Sequence, residues 1–96
     1  MTYQQMKKVK KELVATTIEL EVIYQKIGAG VDVEMNTHLR EYFKGRREGI
    51  LATVAAYNPG HAAYLEKLSR FVRHRVKVLW ETKVSILGRS IPDNVY

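Results

Sequence analysis

The chain has 96 residues and a formal net charge of +6, from 16 Lys and Arg against 10 Asp and Glu. Apolar residues make up 46% and charged residues 27%, which is the balance of one folded domain rather than of a disordered chain. Cysteine is absent, which excludes disulfides, thiol catalysis and cysteine-ligated zinc. The excess of positive charge favours an anionic partner, such as nucleic acid, a lipid surface or an acidic protein face.

The same features bear on where the protein is found. Residues 1–5 lead into lysines and a patterned helix, without the apolar segment of a signal peptide. Small secreted domains usually need disulfides, which this chain cannot form. Its apolar runs are shorter than the roughly 18 residues of a membrane-spanning helix. We therefore predict a cytoplasmic protein or a component of a viral or phage particle, and not a secreted one.

The first predicted helix spans residues 3–27 and has the clearest pattern in the chain. Its apolar positions are spaced by three and four, which places them on one stripe of a helix. These positions are Met6, Val9, Leu13, Thr16, Leu20, Ile23 and Ile27. Gly28 and Gly30 end the helix. The positions predicted to be exposed change sign along it, from Lys7, Lys8, Lys10 and Lys11 to Glu19 and Glu21.

The second predicted helix spans about residues 36–57, with Asp32 or Asn36 as its N-cap. Its predicted inner side consists of Leu39, Tyr42, Phe43, Ile50, Val54 and Tyr57. Residues 44–49 allow two interpretations. Their two glycines can mark a basic loop between short helices. Alternatively the helix continues, with a stripe of small residues that lets another backbone approach, formed by Gly45, Gly49, Ala52 and Ala56. We favour the continuous helix because the apolar spacing is kept across the glycines.

The third predicted helix spans residues 59–87. Asn58 is a good N-cap, Pro59 suits the first helical position, and Gly88 is predicted to end the helix. Its main apolar side consists of Leu65, Leu68, Val72, Val76, Leu79 and Ile86. Residues 88–96 form a C-terminal tail broken by Pro92, and an ordered tail would indicate that it docks on something.

Residues 49–65 form the longest segment without Asp, Glu, Lys or Arg. A hairpin tip, at which two helix ends meet with their alanines in close contact, explains this composition. The alternative is a hairpin that inserts into a membrane between flanking basic residues. Because alanine is only weakly apolar, and Asn58 and His61 would be buried at the tip, we predict the hairpin tip.

Patterns typical of catalysis or metal binding are missing from the sequence. The three histidines are far apart, and Glu34 with His38 supplies only two ligands. No serine lies in a Gly-x-Ser-x-Gly turn, and no glycine-rich phosphate loop follows a strand. We therefore predict no enzymatic activity, no metal, no cofactor and no small-molecule substrate.

Basic residues cluster on the first and third helices. On the third helix, Lys67, Arg70, Arg73, His74 and Lys77 lie opposite the main apolar side. The candidate contacts for nucleic acid or another anionic partner are Lys7, Lys8, Lys10, Lys11, Lys67, Arg70, Arg73 and Lys77. Beside the cations of the third helix runs an apolar line spaced by seven residues, formed by Tyr64, Phe71 and Val78. Such a line is typical of a second core contact in a bundle or of a base-stacking surface, and we favour the core.

Two further residues can be either structural or part of an interface. On a continuous helix, Arg46 lies within the apolar stripe, so it needs a carboxylate such as Glu12 or Glu19, a route to water, or an acidic partner. Trp80 lies at the margin of its apolar side, as a half-buried core residue or an interface anchor. The candidate protein-interface residues are Gly45, Arg46, Gly49, Tyr64, Phe71 and Trp80.

These patterns predict a single all-α domain, an antiparallel three-helix bundle or a helical hairpin with an additional N-terminal helix. Long helices in so short a chain leave a thin core, so self-association or docking is expected to complete it. The predicted function is that of a non-catalytic structural or adaptor protein in a larger assembly, of the phage-particle or multi-subunit type. The alternative is a basic nucleic-acid-binding module with little sequence specificity. A protein partner or self-association is expected, and membrane binding is not.

Overall fold

The structure, a computed structural model, describes residues 2–90, and side chains through residue 83. It consists of three helices packed against one another: α1 (Tyr3–Gly28), α2 (Val33–Tyr57) and α3 (Pro59–Ser90). The described residues contain no strand. The prediction of an all-α three-helix fold is therefore confirmed, and self-association stays a prediction. Residues 91–96 of the predicted tail lie outside the described residues.

The start and end of α1 agree closely with the prediction. A capping box begins the helix: the Gln5 backbone N–H donates to the Thr2 hydroxyl at 3.2 Å, and the Thr2 N–H donates to the Gln5 side chain at 2.8 Å. After Gly28, the chain turns through Gly30 at a φ of 75°, which favours glycine. The predicted apolar stripe faces the core, with Leu13, Leu20 and Ile23 buried.

The start of α2 differs from the prediction. The helix begins at Val33 rather than near residue 36. Asp32, one of the two predicted N-caps, does occupy the N-cap position, but its side chain makes no capping hydrogen bond. Asn36 is not the N-cap. It is buried inside the helix, where its side-chain N–H donates to the Val31 carbonyl at 2.8 Å. This hydrogen bond ties the α1–α2 connection to the helix and satisfies the backbone of a short turn.

The helix α2 continues across Gly45 and Gly49, so the continuous-helix prediction for residues 44–49 is confirmed and the loop alternative is wrong. A single glycine in a helix costs about 1 kcal/mol relative to alanine. This cost is small enough for a helix to continue through a glycine. Gly88 was the predicted end of α3, but the helix likewise continues through it to Ser90. The spacing places Ile86 on the apolar side of α3, but its side chain is not among those described.

The predicted hairpin tip is present, because Asn58 alone separates α2 from α3. The His61 backbone N–H donates to Asn58 Oδ1 at 3.1 Å, which confirms the predicted cap. The expected contact among alanines is only partly correct: Ala62 is buried, whereas Ala55, Ala56 and Ala63 are exposed. Within residues 2–90, no helix has the length together with the apolar character needed to cross a membrane.

The helices run up, down and up. Contacts between α1 and α3 advance together along both helices, at Lys10–Tyr64, Thr17–Ser69 and Glu21–Arg73. The helix α2 runs in the opposite direction, so that Val54 meets Leu65 in the core and Arg47 meets Ser69 further along. In this register Gly28 lies level with Trp80. At 1.5 Å per residue, α3 therefore extends about 15 Å past the end of α1.

The core of the bundle is thin. Leu13, Val54, Ala62 and Leu65 form its buried cluster, with partly buried Met6, Val9, Ile50, Leu51 and Leu68 around it. Several residues predicted to face inwards are exposed instead, namely Leu39, Tyr42, Tyr57 and Leu79. The reason in α2 is a rotation of the helix: its inner side is centred on Asn36, Arg47 and Val54. A polar contact of Arg47 with α3 thus replaces part of the expected apolar packing.

Candidate interaction surface

The lysines near the start of α1 are accessible for binding. Lys7, Lys8, Lys10 and Lys11 are all exposed. Lys10 Nζ lies 3.4 Å from the Tyr64 hydroxyl and 5.7 Å from the centroid of its ring, a cation–π contact that joins α1 to α3. A shallow groove on α1 is lined by three of these lysines and three apolar side chains, namely Lys7, Lys10, Lys11, Val14, Ala15 and Ile18.

Two of the predicted cationic contacts on α3 already have carboxylate partners. Arg70 pairs with Glu66 at 2.7 Å, and Arg73 pairs with Glu21 of α1 at 2.5 Å. Lys67 and Lys77 are exposed and form no ion pair among the described residues. A shallow depression of about 250 Å³ brings several of these groups together, lined by Glu21, Arg70, Arg73, His74 and Lys77. The carboxylates in and beside this depression reduce its attraction for anions.

The two glycines of the small-residue stripe of α2 are not closely approached by another helix in the described part of the chain. Gly45 and Gly49 are exposed, and a Cβ built on either has no atom of another element within 4 Å. Close packing between helices of this chain therefore does not explain these glycines. Their role in an interface stays a prediction.

The predicted place of Arg46 within the apolar stripe is wrong, and of its predicted alternatives the structure has the route to water, while a contact with an acidic partner stays a prediction. Arg46 is exposed, and it lines a groove between α1 and α2 together with Val9, Glu12 and Gly49 but makes no ion pair there. Because α2 is rotated relative to the predicted orientation, the arginine that points inwards is the next one, Arg47. Which of the two adjacent arginines faces inwards depends on how the neighbouring helices pack against α2.

We call Tyr64, Phe71 and Val78 the α3 apolar line. They do not form the second core contact that their spacing favours. They are 48%, 62% and 38% exposed, respectively. The core assignment fails because the buried contacts of α3 with α1 and α2 centre on Leu65 and Ser69, whereas Tyr64 touches α1 at the surface, through Lys10. Trp80 is half-buried, in agreement with its predicted place at the margin. The exposed line remains available to a molecule outside the chain.

Three polar side chains, one from each helix, meet at the centre of the bundle. Arg47 Nε donates to the Ser69 hydroxyl at 2.8 Å, and the hydroxyls of Ser69 and Thr17 lie 2.8 Å apart. The Thr17 hydroxyl donates to the Leu13 carbonyl at 2.7 Å, so Ser69 is the donor to Thr17. We call this chain of hydrogen bonds the polar relay. The sequence contained a signal for it, because Thr17 and Ser69 occur at apolar spacing within their helices.

The polar relay predicts a difference between two adjacent threonines. Replacing Thr17 by valine is expected to cost about 1–2 kcal/mol, because the buried Ser69 hydroxyl loses its acceptor. The matched control is Thr16→Val: Thr16 is also buried but its hydroxyl makes no hydrogen bond among the described residues, so the stability should stay equal or rise. Urea unfolding measures both. Equal costs for the two variants would contradict the relay.

Glu21 was predicted to be exposed, but it is buried, with its side chain 4% exposed. Its carboxylate accepts from Arg73 Nε and from the Gln25 side-chain amide at 3.0 Å. The Arg73 guanidinium also lies 4.7 Å from the ring centroid of Tyr24. Because α3 covers this side of α1, the carboxylate is removed from water and needs the cation. The helical pattern of α1 alone does not reveal this coverage.

Among the described residues, no group of three or more His, Asp or Glu side chains is placed to hold a metal ion. Glu34 and His38 line a shallow surface depression with Asp32, Val33 and Met35. The features that stand out are therefore the exposed apolar side chains and the cations near them.

No protein-family model matches this chain, and no curated protein or solved structure matches it.

Proposed function

We propose that this chain is a non-catalytic structural or adaptor protein that packs its helices into a larger protein assembly. One observation supports this proposal: among residues 2–83, six apolar side chains are buried, while twelve large apolar side chains are exposed. In an isolated soluble domain, apolar side chains that stay exposed contribute little to stability. A protein partner that covers the exposed residues would complete the core.

The energies involved are large for a chain of this size. Full burial of a large apolar side chain contributes about 1.5–3 kcal/mol. Phe71 and Tyr42 are about 60% exposed, at 62% and 59%, so covering each contributes roughly 1–2 kcal/mol. The free energy gained by covering a few such residues is comparable with the free energy of unfolding expected for so small a domain, roughly 5–8 kcal/mol. Assembly is therefore expected to stabilise the fold strongly.

The test is purification of the tagged chain from its natural source, followed by size-exclusion chromatography with light scattering. We expect it to elute with another protein at a fixed stoichiometry, and we expect the isolated chain to have a lower melting temperature than the complex. Chemical crosslinking through exposed lysines, such as Lys67 and Lys77, locates the contact. A compact monomer with no stoichiometric protein partner contradicts the proposal.

Nucleic-acid binding is the second candidate function, and six of its eight predicted cationic contacts favour it, because they are exposed lysines without an ion pair among the described residues. These are Lys7, Lys8, Lys10, Lys11, Lys67 and Lys77. Such contacts release counterions, so affinity for a non-specific duplex should fall steeply between about 50 and 200 mM salt. Absence of binding at about 50 mM salt removes this candidate. The pairing of Arg70 and Arg73 with carboxylates is why we rank it second.

A further inference from the structure

We propose that the α3 apolar line docks an amphipathic helix of another protein that carries acidic residues beside its apolar side. This inference rests on the proposed assembly function and names the surface and the chemistry of the partner. It starts from the spacing of the line. Tyr64, Phe71 and Val78 recur every seven residues, so they follow one side of α3 at intervals of about 10.5 Å. A partner helix with a heptad repeat presents its side chains at the same interval.

The surroundings of the line determine the charge of the partner. On a helix, the neighbours of each side chain lie three and four residues away. For Phe71 these neighbours are Lys67, Leu68, His74 and Arg75, which include no acidic residue. Lys67, His74 and Arg75 are exposed and form no ion pair among the described residues. Among the positions of α3 that lie three or four residues from a member of the line, Glu81 is the acidic one, and it lies at the Val78 end. Glutamates beside the partner's apolar side would therefore face cations.

A second copy of the chain fits this surface poorly. If two copies met through the same line, Lys67 and Arg75 of one copy would face the same cations of the other. Like charges in contact across an interface are unfavourable. The net charge of +6 adds a repulsion between whole copies. An acidic partner experiences attraction from both sources.

Nucleic acid also fits less well than a helix. Stacked bases are about 3.4 Å apart along a strand, whereas the two aromatic rings of the line are separated by about 10.5 Å of helix. The line ends in Val78, with Leu79 exposed beside it, and aliphatic side chains offer no stacking surface. An apolar line with one repeat per heptad is what a helical partner requires.

The test uses a designed helical peptide with leucines at heptad spacing and glutamates on both sides, labelled for fluorescence anisotropy. The control peptide has lysine in place of each glutamate. We expect the acidic peptide to bind the full chain and the basic peptide to bind at least tenfold more weakly. Comparable affinities for the two peptides overturn the proposal. A dimer of the chain that dissociates on Phe71→Ala also overturns it, and so does an oligonucleotide that binds more tightly than the acidic peptide and displaces it.

Two variants that each remove an aromatic side chain of similar fractional exposure locate the site. Phe71→Ala is expected to weaken peptide binding at least tenfold, and Tyr42→Ala on α2 less than twofold. Lys67→Glu should weaken binding of the acidic peptide and strengthen binding of the basic peptide. Lys8→Glu on α1 should change neither affinity. Circular dichroism checks that all variants are folded. Equal effects of Phe71→Ala and Tyr42→Ala overturn the assignment to α3.

The native complex separates failure of this inference from failure of the proposed function. If a stoichiometric complex forms and its crosslinks exclude Lys67 and Lys77, the assembly function stands and the docking site on α3 is wrong. If no complex forms, the proposed function itself fails. Crosslinks from Lys67 to an acidic helical segment of the partner support both.

Discussion

Replacing Leu65 by alanine is expected to lower the free energy of unfolding by about 3 kcal/mol. Leu65 is fully buried and lies in the cluster with Leu13, Val54 and Ala62. The cost has two parts. The transfer free energy of the removed apolar atoms is lost, and the side chains that line the remaining cavity lose dispersion contacts. In a domain with a total stability of roughly 5–8 kcal/mol, this single change removes about half.

Urea unfolding followed by far-ultraviolet circular dichroism measures this effect. The matched control is Leu79→Ala, the same substitution on the same helix at a residue that is 60% exposed. It should change the stability by less than about 0.5 kcal/mol. The melting temperature of Leu65→Ala should fall by roughly 12–24 °C, at about 4–8 °C per kcal/mol. Similar costs at both positions would mean that the core does not lie where α1, α2 and α3 meet.

Replacing Arg73 by alanine is expected to cost about 2 kcal/mol, although Arg73 itself is half-exposed. The reason lies in its partner, because Glu21 would remain as a buried carboxylate with only the Gln25 amide beside it. Loss of one member of a fully buried ion pair costs about 3–5 kcal/mol, and partial access of water to Arg73 lowers this figure. The predicted cost is therefore that of a buried charge without its counterion.

The control for this prediction is Arg70→Ala, which also removes an arginine of α3 from a carboxylate. The Arg70–Glu66 pair is largely exposed and joins residues four apart on one helix, so its loss should cost about 0.3–0.5 kcal/mol. The double variant Glu21→Met with Arg73→Ala should recover much of the lost stability, since apolar residues often replace a buried ion pair without cost. A double variant as unstable as Arg73→Ala alone contradicts this explanation.

Local sequence patterns were sufficient to predict the course of the backbone. The apolar spacing of α1, the cap at Asn58 and the unbroken phase across Gly45 and Gly49 each depend on residues within a few turns. The errors at the ends of helices have local causes too. Asn36 can serve as an N-cap or as an internal side chain that binds a preceding carbonyl, and the sequence allowed either.

The surface was harder to predict, because the side of each helix that is buried depends on its neighbours. Arg46 and Arg47 are adjacent and chemically identical, and only the rotation of α2 decides which one meets Ser69. The burial of Glu21 also depends on a neighbouring helix, because α3 packs on the side of α1 that carries it. For the α3 apolar line, periodicity correctly predicted a stripe on the helix but not whether another helix covers it.

The sequence by itself determined that this chain forms three helices joined by two short connections, with a basic surface and no cysteine chemistry. These properties follow from propensity, capping and periodicity, which act over distances of one or two helical turns. Only the tertiary structure decided that Glu21 is buried with Arg73, that the polar relay crosses the centre, and that Tyr64, Phe71 and Val78 are left exposed. The physical reason is that burial is a property of pairs of helices, set by their mutual rotation and register.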